Sequence, residues 1–179
     1  MLNLQSRING KDDDRHYNET RIAVRDRLIA QEMRDLEARM RGQNVWKLHV
    51  PSANKVHEMS LTVTPHEGTY RNGTFRFTIT VPTEYNNCPP IVKCLTRIWH
   101  PNITEDGAIC LSILRQNSLD QFGWRPTRNL LEVVQGLTSL FTDLIDFDDP
   151  LNVQAAQMWS RNRDMFERKA HEYIKNYCK

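Results

Sequence analysis

The segment 74–81 alternates strictly between apolar and polar side chains, and no other feature constrains the fold as tightly. Its apolar positions are Phe75, Phe77, Ile79 and Val81, separated by Arg76, Thr78 and Thr80. Because successive side chains of a strand point to opposite faces, one face of this strand should be buried and the other solvated. That pattern is typical of an antiparallel sheet. The other predicted strands are Val45–Val50, Met59–Thr64 and Ile91–Leu95.

Apolar residues at helical spacing lie on both sides of these strands. A first helix is predicted to begin near Ile22 and to end before Gly42, with an apolar stripe formed by Ile22, Ile29, Met33, Leu36 and Met40. Residues 1–20 are polar and lack periodicity, so we predict a flexible tail over 1–20 and one folded domain over 21–179.

Three helices are predicted after the strands. Asn129 and Glu132 have the spacing of a capping box at the start of a central, buried helix that runs to Leu144. Asn152 is placed to cap a short helix. A last helix carries one apolar face made of Phe166, Ala170, Tyr173, Ile174 and Tyr177. The order of elements predicts an α+β fold with an N-terminal helix, a four-stranded antiparallel sheet, a long loop, and central and C-terminal helices.

Composition excludes several classes of function. The 179 residues carry 24 basic and 22 acidic side chains, a net charge of +2, which argues against a nucleic acid or membrane partner. The amino terminus lacks a secretory apolar core, so we expect an intracellular monomer, cytoplasmic or nuclear. Four cysteines without paired short spacings argue against a metal site and against disulfides.

The segment 96–128 shows neither strand nor helix periodicity. A loop of this length within a compact domain is usually functional. It contains the triplet His100-Pro101-Asn102 and, eight residues after Asn102, Cys110. Around them the sequence shows the paired prolines Pro89-Pro90, the run 110–114, the segment 124–127 and the segment 148–151.

These motifs, in this order, resemble the ubiquitin-conjugating enzyme family over about residues 22–179. The resemblance implies that Cys110 carries a modifier as a thioester. It further implies that Asn102 donates to the oxyanion or anchors the loop, and that Asp149 orients the acceptor lysine. In this reading His100 and Pro101 belong to the structural motif.

The chemistry of a cysteine agrees with this implied role. A thiol near its ordinary pKa of about 8.5 is only a few per cent thiolate at pH 7, yet it is intrinsically nucleophilic. Aminolysis of the thioester needs a donor for the oxyanion and loss of a proton from the amine. A carboxylate tends to keep a nearby amine charged, so Asp149 would act by geometry and desolvation.

Departures from the common family pattern indicate a branch. Tyr85-Asn86-Asn87-Cys88 replaces an apolar ligase contact, and residues 115–123 are an insertion. With the segments 24–33, 94–104 and 139–152, these features resemble the neddylation branch, nearest its second, less general metazoan type. The branch implies that the tail, through Met1, Leu2, Leu4 and Ile8, docks on the activating enzyme or, when acetylated, on a cullin co-ligase.

The resemblance also implies further partners and no cofactor. Arg25 and Arg27 on the first helix, and Pro126 and Thr127 in the long loop, would contact the activating enzyme or a RING ligase. The modifier would pass to a cullin lysine, and ATP would be used upstream by the activating enzyme. Three alternatives stay open: a ubiquitin conjugator, a non-catalytic modifier-binding variant, and a Cys-His hydrolase, which would need an oriented histidine.

Overall fold

The computed structural model describes residues 11–118 and 121–179 and has the predicted α+β architecture. Its helices are α1 (Lys11–Met40), α2 (Leu130–Ser139), α3 (Val153–Arg161) and α4 (Arg163–Tyr177). Its strands are β1 (Trp46–His49), β2 (Glu58–Val63), β3 (Phe75–Thr80) and β4 (Ile91–Cys94). In this part of the chain no helix is both long and apolar enough to span a membrane.

The four strands form one antiparallel sheet in the order β1-β2-β3-β4. Alternate residues of β1, β2 and β3 are buried, which confirms the two-faced pattern of the sequence. Phe75 stacks on Phe141 with ring centroids 4.3 Å apart, so the sheet packs against the chain that leaves α2. The core therefore lies between one sheet face and the helical part of the chain.

Helix α1 begins well before the predicted start at Ile22. Residues 11–20, assigned to the tail, are helical, and the side chains of 13–20 are all exposed. Because the side chains of 13–20 are exposed, no apolar stripe marks them in the sequence. Asp13 and Asp14 lie near the helix amino terminus, where the helix dipole favours negative charge. The first helix therefore begins eleven residues before its predicted start, the domain boundary at residue 20 stays a prediction, and residues 1–10 lie outside the described residues.

Polar contacts join α1 to the start of α2. Glu32 accepts a hydrogen bond from the Leu130 amide at 2.7 Å and from the Tyr85 hydroxyl at 2.9 Å. The capping box of Asn129 and Glu132 is present as predicted. The side chain of Asn152 caps α3, which confirms that prediction too.

Helix α2 ends at Ser139, earlier than predicted. The amides of Thr142 and Leu144 both turn back to the Ser139 carbonyl, at 3.0 and 2.9 Å, so the chain tightens into a turn. Phe141 stays buried, whereas Leu144 is exposed and borders the cleft described below.

Candidate active site

Cys110 lies at the rim of a cleft of about 640 Å³ in front of a short 3-10 turn, Ser112–Leu114. Its thiol is half-buried, and its amide donates to the Asn102 carbonyl at 2.8 Å. The backbone bridges between His100, Ile103 and Ile109 hold the two arms of this loop together. The loop therefore brings the His-Pro-Asn motif and the cysteine side by side.

The other three cysteines have different surroundings. Cys94 and Cys178 are buried, and burial raises their pKa values to about 11 and about 12. Burial also raises the pKa of the half-buried Cys88. A thiol with a raised pKa forms less of the nucleophilic thiolate at neutral pH. Cys110 is the cysteine that borders the large cleft.

A turn at Gly107 sets the approach of the chain to Cys110. Gly107 has φ of +91°, and a Cβ at this position would lie 2.0 Å from the Cys94 carbonyl oxygen. The Cys94 amide donates to the Gly107 carbonyl at 3.0 Å, so the turn is fixed to the end of β4. Only glycine fits a left-handed conformation with such a close neighbour.

His100 is fully buried, and both its ring nitrogens have partners. Nε2 donates to the Leu140 carbonyl at 2.7 Å, and Nδ1 accepts from the Asn102 amide at 2.9 Å. Burial lowers the pKa of the ring to about 4, so the ring is neutral at pH 7. The imidazole also lies 5.0 Å from the Tyr70 ring. Since it is enclosed and contacts no thiol, His100 is a structural link between the loop and the end of α2.

The side-chain amide of Asn102 makes two hydrogen bonds to the backbone of Asp146. Its Nδ2 donates to the Asp146 carbonyl at 2.7 Å, and its Oδ1 accepts from the Asp146 amide at 2.8 Å. The residue is almost completely buried. These hydrogen bonds suit the role of loop anchor, and the contact of Asn102 with the oxyanion stays a prediction. The two hydrogen bonds fix the segment 146–149 beside Cys110. The Asn152 amide donates a further hydrogen bond to the Pro101 carbonyl, at 2.8 Å.

The segment fixed in this way carries Asp149 to the site. The Asp146 carboxylate accepts from the amides of Asp148 and Asp149, at 2.8 and 3.1 Å, and forms a tight turn. The Asp149 side chain is about three-quarters exposed and faces the cleft rim. With Asp143 and Asp148 the rim carries several carboxylates, which attract a cationic group such as a lysine ammonium.

Arg115 is a site residue that sequence reasoning missed. Its Nη2 donates to Cys110 Sγ at 3.0 Å and lies 3.3 Å from Asp149 Oδ2. The hydrogen bond to Cys110 and the nearby Asp149 carboxylate raise the pKa of Arg115 above its ordinary value, so the guanidinium stays charged. The arginine opens an insertion rich in polar residues. Nothing in its spacing separates it from a solvated loop residue, and the contact arises because the 3-10 turn reverses the chain.

Arg25 is buried, although the sequence placed it outside the apolar stripe; its contact with a partner stays a prediction. Its side chain is buried, donates to Asp26 Oδ1 at 2.8 Å and lies 3.3 Å from His57 Nδ1. Since Arg25 lies four residues before Ile29, it occupies the buried stripe of α1, whereas the predicted stripe member Ile22 is exposed. Arg27 is exposed.

Pro126 and Thr127 are exposed on a loop that is tied to the segment 85–88. Asn86 Nδ2 donates to the Pro126 carbonyl at 2.6 Å, and the Trp124 indole donates to the Asn86 carbonyl at 2.8 Å. The two segments therefore present one surface. The predicted docking residues Met1, Leu2, Leu4 and Ile8 lie outside the described residues. Within 11–118 and 121–179, no cluster of His, Cys, Asp or Glu could hold a metal ion.

Comparisons with known proteins agree with this geometry. The NEDD8-conjugating enzyme ubc-12 of Caenorhabditis elegans is 66% identical over 180 residues, 99% of this chain and 100% of that protein. The NEDD8-conjugating enzyme UBE2F of Homo sapiens is 54% identical over 159 residues, 89% of this chain and 85% of that protein. A family model described as ubiquitin-conjugating enzyme matches residues 28–174. With this match across most of the folded part, the chain belongs to the ubiquitin-conjugating enzyme family.

Proposed function

We propose that this chain is a transferase that carries NEDD8 as a thioester on Cys110 and passes it to a lysine. The observation that carries the proposal is the half-buried Cys110 thiol at the rim of the cleft, flanked by Arg115 and Asp149. The choice of NEDD8 rests on relatives at 66% and 54% identity that are named for conjugating it. No metal or organic cofactor takes part in these steps.

The reaction has two steps at the same sulfur. In charging, the Cys110 thiolate attacks the carbonyl of the modifier thioester on the activating enzyme. The C–S bond to Cys110 forms and the C–S bond to the activating enzyme breaks. The electron pair of the broken bond leaves on the sulfur of the activating enzyme. In discharge, a lysine amine attacks the Cys110 thioester, the C–N bond forms, and the electron pair of the C–S bond returns to Cys110 Sγ. The amine loses a proton to solvent.

The acidic rim acts on the lysine. Asp149 is held within ion-pair distance of Arg115 and beside the cysteine, so it can orient an incoming ammonium toward the thioester. Asp143 and Asp148 raise the local concentration of cations without touching the sulfur. Asn102 acts indirectly, by holding the backbone that carries Asp149.

The proposed partners would contact residues outside the cleft. Arg27 on the exposed side of α1, and the surface around Pro126 and Thr127, are proposed to contact the activating enzyme and a RING ligase that presents a cullin. Met1, Leu2, Leu4 and Ile8 are proposed to dock in apolar pockets of the activating enzyme, or of a cullin co-ligase when Met1 is acetylated. Acetylation removes a terminal charge that would be costly to bury. The protein is proposed to act as a monomer in the cytoplasm or nucleus.

A charging assay tests the function. The purified protein is incubated with ATP and either the NEDD8 activating enzyme and NEDD8 or the ubiquitin activating enzyme and ubiquitin. The products are then separated with and without reductant. A reductant-sensitive adduct with NEDD8 alone supports the proposal. An adduct with ubiquitin alone refutes the choice of modifier, and no adduct refutes the enzymatic function.

Two variants test the site. Cys110→Ser should give an adduct that resists reductant or no adduct at all, because an ester is less reactive than a thioester. Cys88→Ser is the matched control, since Cys88 is also half-buried but lies in a separate groove. A reductant-sensitive adduct on Cys110→Ser would contradict the assignment of the nucleophile.

A further inference from the structure

Arg115 is the cationic residue that contacts the sulfur. Throughout residues 11–118 and 121–179, it is the cation that has a hydrogen bond to Cys110 Sγ, at 3.0 Å. Its side chain makes one other polar contact, to Asp149, and is about half exposed. Its backbone is fixed separately: the amide donates to the Ser112 carbonyl and the carbonyl accepts from the Trp124 amide. The guanidinium can therefore change partners without disturbing the loop.

The polar side chains of the His-Pro-Asn motif are already occupied. Both ends of the Asn102 amide are bonded to Asp146, and both nitrogens of His100 are bonded to backbone groups. Both side chains are also buried. For either to stabilise the oxyanion of the tetrahedral intermediate, it would have to break existing hydrogen bonds, at a cost of about 1–3 kcal/mol for each group left unpaired.

We propose that Arg115 is a catalytic residue of this enzyme and supplies the positive charge that the reaction needs at Cys110. One N–H of the guanidinium holds the sulfur, and another reaches the carbonyl oxygen bonded to the same thioester carbon. The proposal rests on the proposed function, in which Cys110 carries the modifier.

Both steps place negative charge where the guanidinium lies. In charging, the nucleophile is the Cys110 thiolate. In discharge, the amine nitrogen attacks, negative charge builds first on the carbonyl oxygen, and the C–S bond then breaks with its electron pair on Cys110 Sγ. The amine proton leaves to solvent. A guanidinium has five N–H donors, so it can follow the charge from oxygen to sulfur.

The Arg115–Asp149 ion pair links this role to the acceptor. While no lysine is present, Asp149 Oδ2 shares the guanidinium with the sulfur. An incoming ammonium competes for the Asp149 carboxylate and frees Arg115 N–H groups to turn toward the thioester. Binding of the acceptor lysine would therefore complete the oxyanion site.

The test uses Arg115→Ala, Arg115→Lys and the control Arg71→Ala, an exposed arginine outside the site. The thioester is formed first, the activating enzyme is stopped, and discharge to free lysine is followed in a single turnover. Loss of an oxyanion donor costs about 10²–10³ in rate in enclosed sites. Because Arg115 is half exposed and screened by solvent, we expect roughly a tenfold to hundredfold loss for Arg115→Ala, partial retention for Arg115→Lys, and no change for Arg71→Ala.

Two readouts separate catalysis from a structural role. Free guanidinium at millimolar concentration should restore part of the Arg115→Ala rate, whereas sodium chloride of equal ionic strength should not. In the uncharged enzyme at neutral pH, iodoacetamide should alkylate Cys110 more slowly in Arg115→Ala than in the parent, because the hydrogen bond from the guanidinium to the sulfur is lost. A discharge rate within twofold of the parent, or a slower rate without rescue and with an unchanged alkylation rate, would overturn the proposal.

A double-mutant cycle with Asp149→Asn decides whether Arg115 acts only by holding Asp149. If it does, the loss caused by Arg115→Ala vanishes in the Asp149→Asn background, and Arg115 is a positioning residue. We expect most of the loss to remain. The alkylation rate does not depend on a modifier. It therefore tests the contact with the sulfur even if the charging assay refutes the proposed function.

Discussion

Lowering the pH should weaken this fold through one buried histidine. His100 has a pKa of about 4 in the folded protein, compared with 6.5 for an ordinary histidine, because burial disfavours the charged ring. Protonation would also place a new N–H at Nδ1, where the Asn102 amide already donates. The unfolded chain has neither restriction and takes up the proton near pH 6.5.

The sign and size follow from proton binding. Between pH 6.5 and pH 4 the unfolded state binds more protons at this position than the folded state, so the free energy of unfolding falls as the pH falls. The contribution is fully present above pH 6.5. Each pH unit between the two pKa values is worth about 1.4 kcal/mol, so the loss reaches about 3 kcal/mol near pH 4. Domains typically have only about 5–15 kcal/mol of stability, so the effect is large.

Urea unfolding at a series of pH values, on the parent and on His100→Gln, measures this contribution. The glutamine variant should be less stable at pH 7, and the two stability curves should converge by about 3 kcal/mol between pH 7 and pH 4. His66→Gln, at an exposed histidine, is the matched control for the substitution. Stability curves of His100→Gln and the parent that stay parallel between pH 7 and pH 4 would refute the argument. A His100 imidazole that titrates near pH 6.5 by NMR in the folded protein would refute it as well.

Three other substitutions test the backbone contacts that support the fold around the site. Asn102→Ala removes two hydrogen bonds to Asp146 and should lower the free energy of unfolding by about 2–4 kcal/mol. It should also displace the acidic segment 146–149 and therefore slow discharge more than charging. Equal slowing of both steps would count against that displacement. Gly107→Ala should cost at least about 2 kcal/mol, because its Cβ would meet the Cys94 carbonyl in a left-handed turn; calorimetry showing unchanged melting would contradict this. Glu32→Ala removes the acceptor of the Leu130 amide at the start of α2 and should cost about 1–3 kcal/mol in urea unfolding. An unchanged midpoint would show that water replaces the carboxylate.

The sheet could be predicted from the sequence because the strand pattern is set by burial. Each inward position of β3 is apolar and each outward position polar, and the structure confirms the strand. The capping box of α2 was predictable because it depends on two residues close in sequence. The family and the α+β fold were confirmed as well. What the sequence did not indicate was the extension of the first helix back to Lys11, where the side chains of 13–20 are exposed.

Errors in the site came from long-range contacts. Arg25 reads as a surface charge because arginine is usually exposed, yet its long stem fits a buried stripe while its charged end reaches Asp26 and His57. The contact of Arg115 with Cys110 depends on a chain reversal through three residues of 3-10 helix. Pairing of the Asn102 amide with Asp146 joins positions 44 residues apart, which no local pattern reveals.

The site separates a neutral frame from a charged rim, and the separation has a physical reason. His100 and Asn102 are buried, uncharged and fully hydrogen-bonded, so they hold the backbone around Cys110 without placing a charge in the core. Arg115 and Asp149 lie at the surface, where charge costs little and side chains can change partners. Substitutions in the frame should therefore alter stability and reactivity together, whereas substitutions in the rim should alter reactivity alone. A buried charged group in the frame would be costly to desolvate, and a neutral rim could neither attract a lysine nor hold a leaving thiolate.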